Sequence, residues 1–159
     1  MIAFKRLFKA LLSPNVMYES VLDIALDDYY KKGFRHILLD IDNTVVGLTN
    51  KQCSWEFEKW VRTAKDIGFK IIIVSNNIRW IRIYIVAKQL KCDGYYFAAK
   101  PLTFTGKMIQ KDQKLSFKKT LVIGDQLLTD VIFGNVLGAY SILVDPIQRK
   151  SSDIKRAQY

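Results

Sequence analysis

Five short apolar segments, each ending in polar residues or glycine and separated by helical patterns, restrict this chain to one kind of architecture. They are residues 36–41, 70–74, 95–97, 120–123 and 140–144. Between them, Trp55, Phe57, Trp60, Val61 and Ala64 fall largely on one side of a helix over 55–67. Residues 80–90 are rich in Ile and Val, but their length and the intervening Arg82 and Lys88 favour a buried helix, and 127–137 reads as another, stopped by Gly138. Alternating strands and helices predict an α/β fold, a three-layer Rossmann-like core with a five-stranded, mainly parallel sheet. Near-continuous apolar strands fit such a sheet because helices cover both of its faces. With no internal repeat, low-complexity stretch or linker, residues 1–159 are expected to form one domain, with the core of its chemistry over 36–146.

In a sheet of this kind ligands bind beyond the carboxyl ends of the strands. The residues falling there are Asp40 and Asp42, then Ser75, Asn76 and Asn77, then Lys100, then Asp125. Two carboxylates two residues apart at the tip of a buried strand raise each other's pKa unless a cation neutralises them. A strand end offers no structural reason for both. Taken alone, Asp125 and Asp130 would read as a loop residue and a helix cap, Ser75 as a cap, and Lys100 as solvated surface. Their convergence on one edge argues for chemistry. Asn43 and Thr44 have turn-forming roles available to them as well.

Lys and Arg number 25 against 15 Asp and Glu, a net charge of +10. That excess suits a polyanionic or phosphorylated partner, but the basic residues are spread along the chain and choose none by themselves. Cys53 and Cys92 lack metal or redox spacing and read as reduced thiols; the lone His36 reads as structural. No apolar run approaches the roughly 20 residues of a membrane span, and no signal peptide is legible.

These residues resemble the haloacid dehalogenase (HAD) superfamily of phosphotransferases over residues 36–146. Its four motifs correspond in order to Leu39-Asp40-Ile41-Asp42-Asn43-Thr44, Val74-Ser75-Asn76-Asn77, Lys100-Pro101 and Gly124-Asp125-Gln126-Leu127-Leu128-Thr129-Asp130. The resemblance implies that Asp40 attacks phosphorus and forms an aspartyl-phosphate, while Asp42 serves as acid and then base. It implies that Thr44, Ser75, Asn76 and Lys100 face the substrate phosphate. Mg2+ would be held by Asp40, Asp125 and the Asp42 carbonyl, with Asp130 joining that shell through water or supporting Lys100.

Many relatives carry a cap domain, yet the gaps 45–70 and 76–99 leave no room for one. An uncapped site encloses a small metabolite poorly, so the substrate is expected to be large, tethered or presented on a surface. Phe4, Leu7, Phe8, Leu11 and Leu12 follow amphipathic helical spacing over residues 1–14, among Lys5, Arg6 and Lys9. Such a helix suits an anionic membrane, or packing on the domain. More closely, Leu12-Ser13-Pro14, Lys31-Lys32-Gly33 and the first, second and fourth motifs resemble the YqeG-type branch of HAD subfamily IIIA. Relatives of that branch include the mitochondrial phosphatidylglycerophosphate phosphatases. The expectation is a Mg2+-dependent phosphatase acting on that lipid phosphate, in the bacterial cytoplasm or on the inner face of the membrane. A nucleic-acid end or a small phosphorylated metabolite is the second substrate class. A non-catalytic assembly factor binding RNA or a GTPase is the rival outside enzymes.

Overall fold

The computed structural model describes residues 2–148, with side chains from residue 5 onward, so the Phe4 side chain lies outside the described residues. Helix α1 (Ile2–Leu11) leads into strand β1 (Val16–Tyr18), followed by α2 (Leu26–Lys31) and β2 (His36–Leu39). Then come α3 (Trp55–Ile67), β3 (Lys70–Val74), α4 (Trp80–Leu90), β4 (Asp93–Tyr95) and α5 (Phe104–Gln113). Strand β5 (Thr120–Gly124), a π-helical turn (Leu127–Val131), α6 (Ile132–Leu137) and β6 (Tyr140–Val144) complete the order. The strands lie in the order β1-β6-β5-β2-β3-β4, and every pairing is parallel.

Alternation along the strands divides the core in two. Ile37, Leu39, Ile71, Ile73, Leu121 and Ile123 pack on one face beneath α2, α3 and α4. Leu38, Ile72, Val74 and Val122 face the other way, onto Ile109 of α5 and Phe133 of α6. Helix α3 starts where Ser54 accepts a hydrogen bond from the Phe57 amide (3.3 Å), and it ends on Gly68 at φ +117°. Gly138 (φ +73°) ends α6 as its sequence position predicts.

Four expectations need correction. The sheet has six strands rather than five: β1 adds to the edge beside β6, zipped by Asn15 N to Ser141 O (3.0 Å) and Ser141 N to Asn15 Oδ1 (2.8 Å). The segment expected as a strand at 95–97 pairs instead over Asp93–Tyr95, because Phe97 and Ala99 turn to φ +49° and +54° and leave the ladder. Helix α4 buries only Ile83, Val86 and Leu90, while Trp80, Ile81 and Tyr84 stand exposed; Trp55 is likewise exposed on α3. The segment expected as one helix over 127–137 begins as a π turn before becoming α-helical at Ile132.

The chain between β2 and β3 holds a turn, a loop and α3, and that between β3 and Lys100 holds α4 and β4, so among the described residues no cap is inserted. Cys53 and Cys92 are free thiols. No helix of the described residues is long and apolar enough to cross a membrane. The C-terminal end of α1 is fastened to α6 by Asn135, whose amide donates to Leu11 O (2.9 Å) and Ser13 O (3.0 Å). Leu11 and Leu12 are half-buried there, whereas Leu7 faces solvent.

Candidate active site

Because all strands run the same way, their carboxyl ends meet along one edge of the sheet. Asp40 sits immediately beyond β2, its amide still on the ladder to Ile123 O of β5 (2.9 Å). The chain then curls tightly, with the amides of Thr44, Val45 and Val46 all donating to Ile41 O. Asn43 adopts φ +67°, which Asn tolerates better than most residues. Its carboxamide clamps residue 148 from both sides: Nδ2 donates to Gln148 O (2.7 Å), and Gln148 N donates to Oδ1 (2.8 Å).

Lys100 is buried, and its ammonium donates to Asp40 Oδ1 (2.7 Å) and Asp130 Oδ1 (2.6 Å). Asn76 fixes the Lys100 backbone, with Lys100 N donating to Asn76 Oδ1 (2.7 Å) and Asn76 Nδ2 donating to Lys100 O (2.8 Å). The Asn76 carboxamide is therefore taken up by positioning Lys100. The π turn after β5 aims Asp130 inward, and Gln126 N donates to its other oxygen (3.1 Å). π turns of this kind recur at functional sites. The approach needs Gly124, since a Cβ there would lie 2.2 Å from the Asp130 carboxyl group. Gly124→Ala should displace Asp130 and cost about 1–3 kcal/mol. Thermal unfolding would register this as a fall of roughly 2–4 °C per kcal/mol, and an unchanged midpoint would refute the close packing.

Asp42 has a different set of partners from Asp40. Arg82 Nε of α4 donates to its Oδ1 (2.7 Å) and Asn77 Nδ2 to its Oδ2 (2.8 Å), with the Ser75 hydroxyl at 3.5 Å. Arg82 also donates to the carbonyls of Gly47 (3.0 Å) and Asn50, tying the loop after the Asp42 turn to the same guanidinium. In the sequence Arg82 argues only for a helix over 80–90; the placement of α4 reveals its target. Ser75 is buried, and its oxygen accepts from Asn77 N (3.1 Å).

The Thr44 hydroxyl lies within hydrogen-bond reach of Asp40 Oδ2 (3.2 Å) and Asp125 Oδ1 (3.0 Å), bridging the nucleophile candidate to the fourth motif. Burial pushes the Asp40 carboxyl up to about 7, opposed by Lys100 and reinforced by Asp130 and Asp125. Burial also raises Asp125. One ligand oxygen from each of Asp40, Asp125 and Asp130 lies within 4.8 Å of the others. Asp130 spends both oxygens on Lys100 and the Gln126 amide. Asp125 has no cationic partner in the ion pairs of the described residues. Asp40 and Asp125 thus offer hard oxygen donors suited to a divalent ion such as Mg2+.

The residues singled out from sequence are therefore brought to one edge, around a carboxylate backed by a buried ammonium and a second carboxylate held nearby. Residues 97–159, which carry Lys100, Asp125 and Asp130, match the model of the HAD-hydrolase-like family. The probable phosphatase YqeG of Bacillus subtilis is 29% identical over 150 residues, covering 94% of this chain and 87% of that protein. The chain is similar to the HAD-like hydrolases. Solved structures agree on the fold. An uncharacterized protein from Listeria monocytogenes superposes with a TM-score of 0.58 at 14% identity, over 74% of this chain and 84% of that one. The core domain of a candidate phosphoglycolate phosphatase from Streptococcus pneumoniae gives 0.53 at 18% identity, over 79% and 95%. Within this HAD-like framework, the Lys100 bridge and the Asp42–Arg82 pair are the features that set the electrostatics of the site.

Proposed function

We propose that this HAD-like hydrolase is a Mg2+-dependent phosphatase working through an aspartyl-phosphate on Asp40, and that it removes the terminal phosphate of phosphatidylglycerophosphate at a membrane surface. The observation that carries the reaction class is the Asp40 carboxylate against buried Lys100, with Asp42 two residues on at the same strand end and held by Arg82. Asp40 attacks phosphorus as the ester P–O bond breaks, and Asp42 gives a proton to the departing alkoxide. Water then attacks phosphorus, Asp42 takes back a proton, and the Asp40–phosphorus bond breaks to release inorganic phosphate. Lys100 offsets charge on Asp40 and on the transferring group. Ser75 and the amides beyond β2 and β3 lie at neighbouring strand ends and would hold phosphoryl oxygens. Asp40, Asp125 and the Asp42 carbonyl would hold Mg2+, which when bound supplies charge neutralisation for the phosphoryl oxygens.

Supporting the lipid reading are the open site, with no cap among the described residues, and the net charge of +10. Phosphate release should be measured side by side from phosphatidylglycerophosphate in mixed micelles, a sugar phosphate and a terminally phosphorylated oligonucleotide. Preferential release from the lipid is expected. Equal or greater release from either of the others would sink the substrate assignment while leaving the chemistry.

Mg2+ should raise the unfolding temperature, and by more at about pH 8 than at about pH 6. The sign follows from the Asp40 carboxyl, pushed up to about 7: largely protonated at the lower pH, it must release its proton to ligate, so the ion competes better as pH rises, and burial shifts Asp125 in the same direction. A shift independent of pH would remove these two residues as ligands.

A further inference from the structure

The loops that carry the site also carry a crown of exposed apolar side chains. Ile78 (71% exposed) follows β3, Phe97 (65%) follows β4, and Leu102 (67%) and Phe104 (79%) follow Lys100 into the start of α5. Leu128 stands out beyond β5. All lie past strand carboxyl ends, hence on the edge where Asp40 opens. Beside them Trp80, Ile81 and Ile85 wall a groove of about 480 Å³ with Lys51, Arg79 and Arg82, the same Arg82 that holds Asp42.

Outside the site carboxylates, the loops after the Asp42 turn, β3 and β4 carry charge of one sign. Residues 43–54, 76–92 and 96–111 contain no Asp or Glu. Lys51, Arg79 and Lys107 are exposed there and take part in none of the ion pairs of the described residues. We propose that this edge is a docking surface for an anionic lipid bilayer, with the apolar loop tips entering the headgroup zone and the three cations meeting lipid phosphates. Separated apolar tips interleaved with cations suit an amphiphilic surface. A second copy would set like charges face to face. A nucleic acid would leave Ile78, Leu102 and Leu128 uncovered, as none offers a stacking ring. The proposal rests on the phosphatase reading only for its orientation, in which the bilayer presents its phosphate to Asp40. It also assigns the contact to the rim rather than to α1, whose C-terminal end is fastened to α6 as the chain turns toward the amino end of β1.

The test is flotation of the full chain with phosphatidylcholine vesicles, with and without about 30 mol% phosphatidylglycerol. Binding is expected to the anionic vesicles and to fall as salt rises. Phe97→Asp with Phe104→Asp should weaken partitioning by about tenfold or more, and Leu7→Glu in α1 should change it by less than about twofold. Unfolding curves establish that the variants fold, and Lys51→Glu with Arg79→Glu is the second pair, expected to weaken partitioning without altering any apolar tip. No flotation, flotation that survives both rim pairs, or flotation lost only in Leu7→Glu overturns the proposal. Self-association abolished by the rim substitutions, with no flotation, replaces the bilayer by a second copy. Wild-type protein that hydrolyses a soluble phosphomonoester but does not float leaves the phosphatase reading intact. Flotation without turnover of any phosphomonoester removes that reading and leaves the docking surface.

Discussion

Asp40→Asn should reduce phosphate release by about 10⁴-fold or more while leaving the fold in place. The side chain keeps its volume and can still accept a hydrogen bond, but a carboxamide cannot form the acyl-phosphate bond. Stability should hold for a separate reason. Asp40 is buried, and its charge is maintained against desolvation by Lys100. In the variant that desolvation cost disappears, and Lys100 retains Asp130 at 2.6 Å. An unfolding midpoint within a few degrees of wild type, alongside background activity, is the expected pair of results. Substantial remaining turnover would remove Asp40 as the nucleophile.

Lys100→Met should do the reverse to stability. Methionine matches the apolar stem but leaves Asp40 and Asp130 facing each other without the ammonium that now bridges them at 2.7 and 2.6 Å. Removing one partner of a buried ionic network costs about 3–5 kcal/mol. The upward push of burial on Asp40, already to about 7, would then be unopposed by Lys100. A carboxyl raised in the folded state binds protons that the unfolded chain releases, so the variant should recover stability as pH falls toward the ordinary carboxylate range. Denaturant melts at about pH 8 and about pH 5.5 would test this, with the larger deficit expected at the higher pH. A pH-independent deficit would assign the loss to packing instead. Activity should be lost with the bridge.

Much of this arrangement is legible in the sequence. Apolar runs ending in Asp40, Ser75, Lys100 and Asp125 place those residues on one edge as soon as the strands are taken as parallel, and β2, β3 and β5 are adjacent as required. What escaped depends on contacts remote in sequence. Strand β1 is three residues long with Met17 exposed, and its place is set by Asn15 meeting Ser141, 126 residues away. Trp80 and Ile81 read as core because periodicity does not say which apolar residues find a partner. Gly124 looked like part of a motif; its space is needed by Asp130, six residues on, only because the π turn folds back.

The Asn43–Gln148 clamp also sets a schedule. Every motif residue has been synthesised by position 130, yet the turn carrying Asp40 and Asp42 is braced by backbone groups of residues 147 and 148. A nascent chain would therefore hold its full chemical inventory before it could hold the geometry, and the final loop contact converts one into the other.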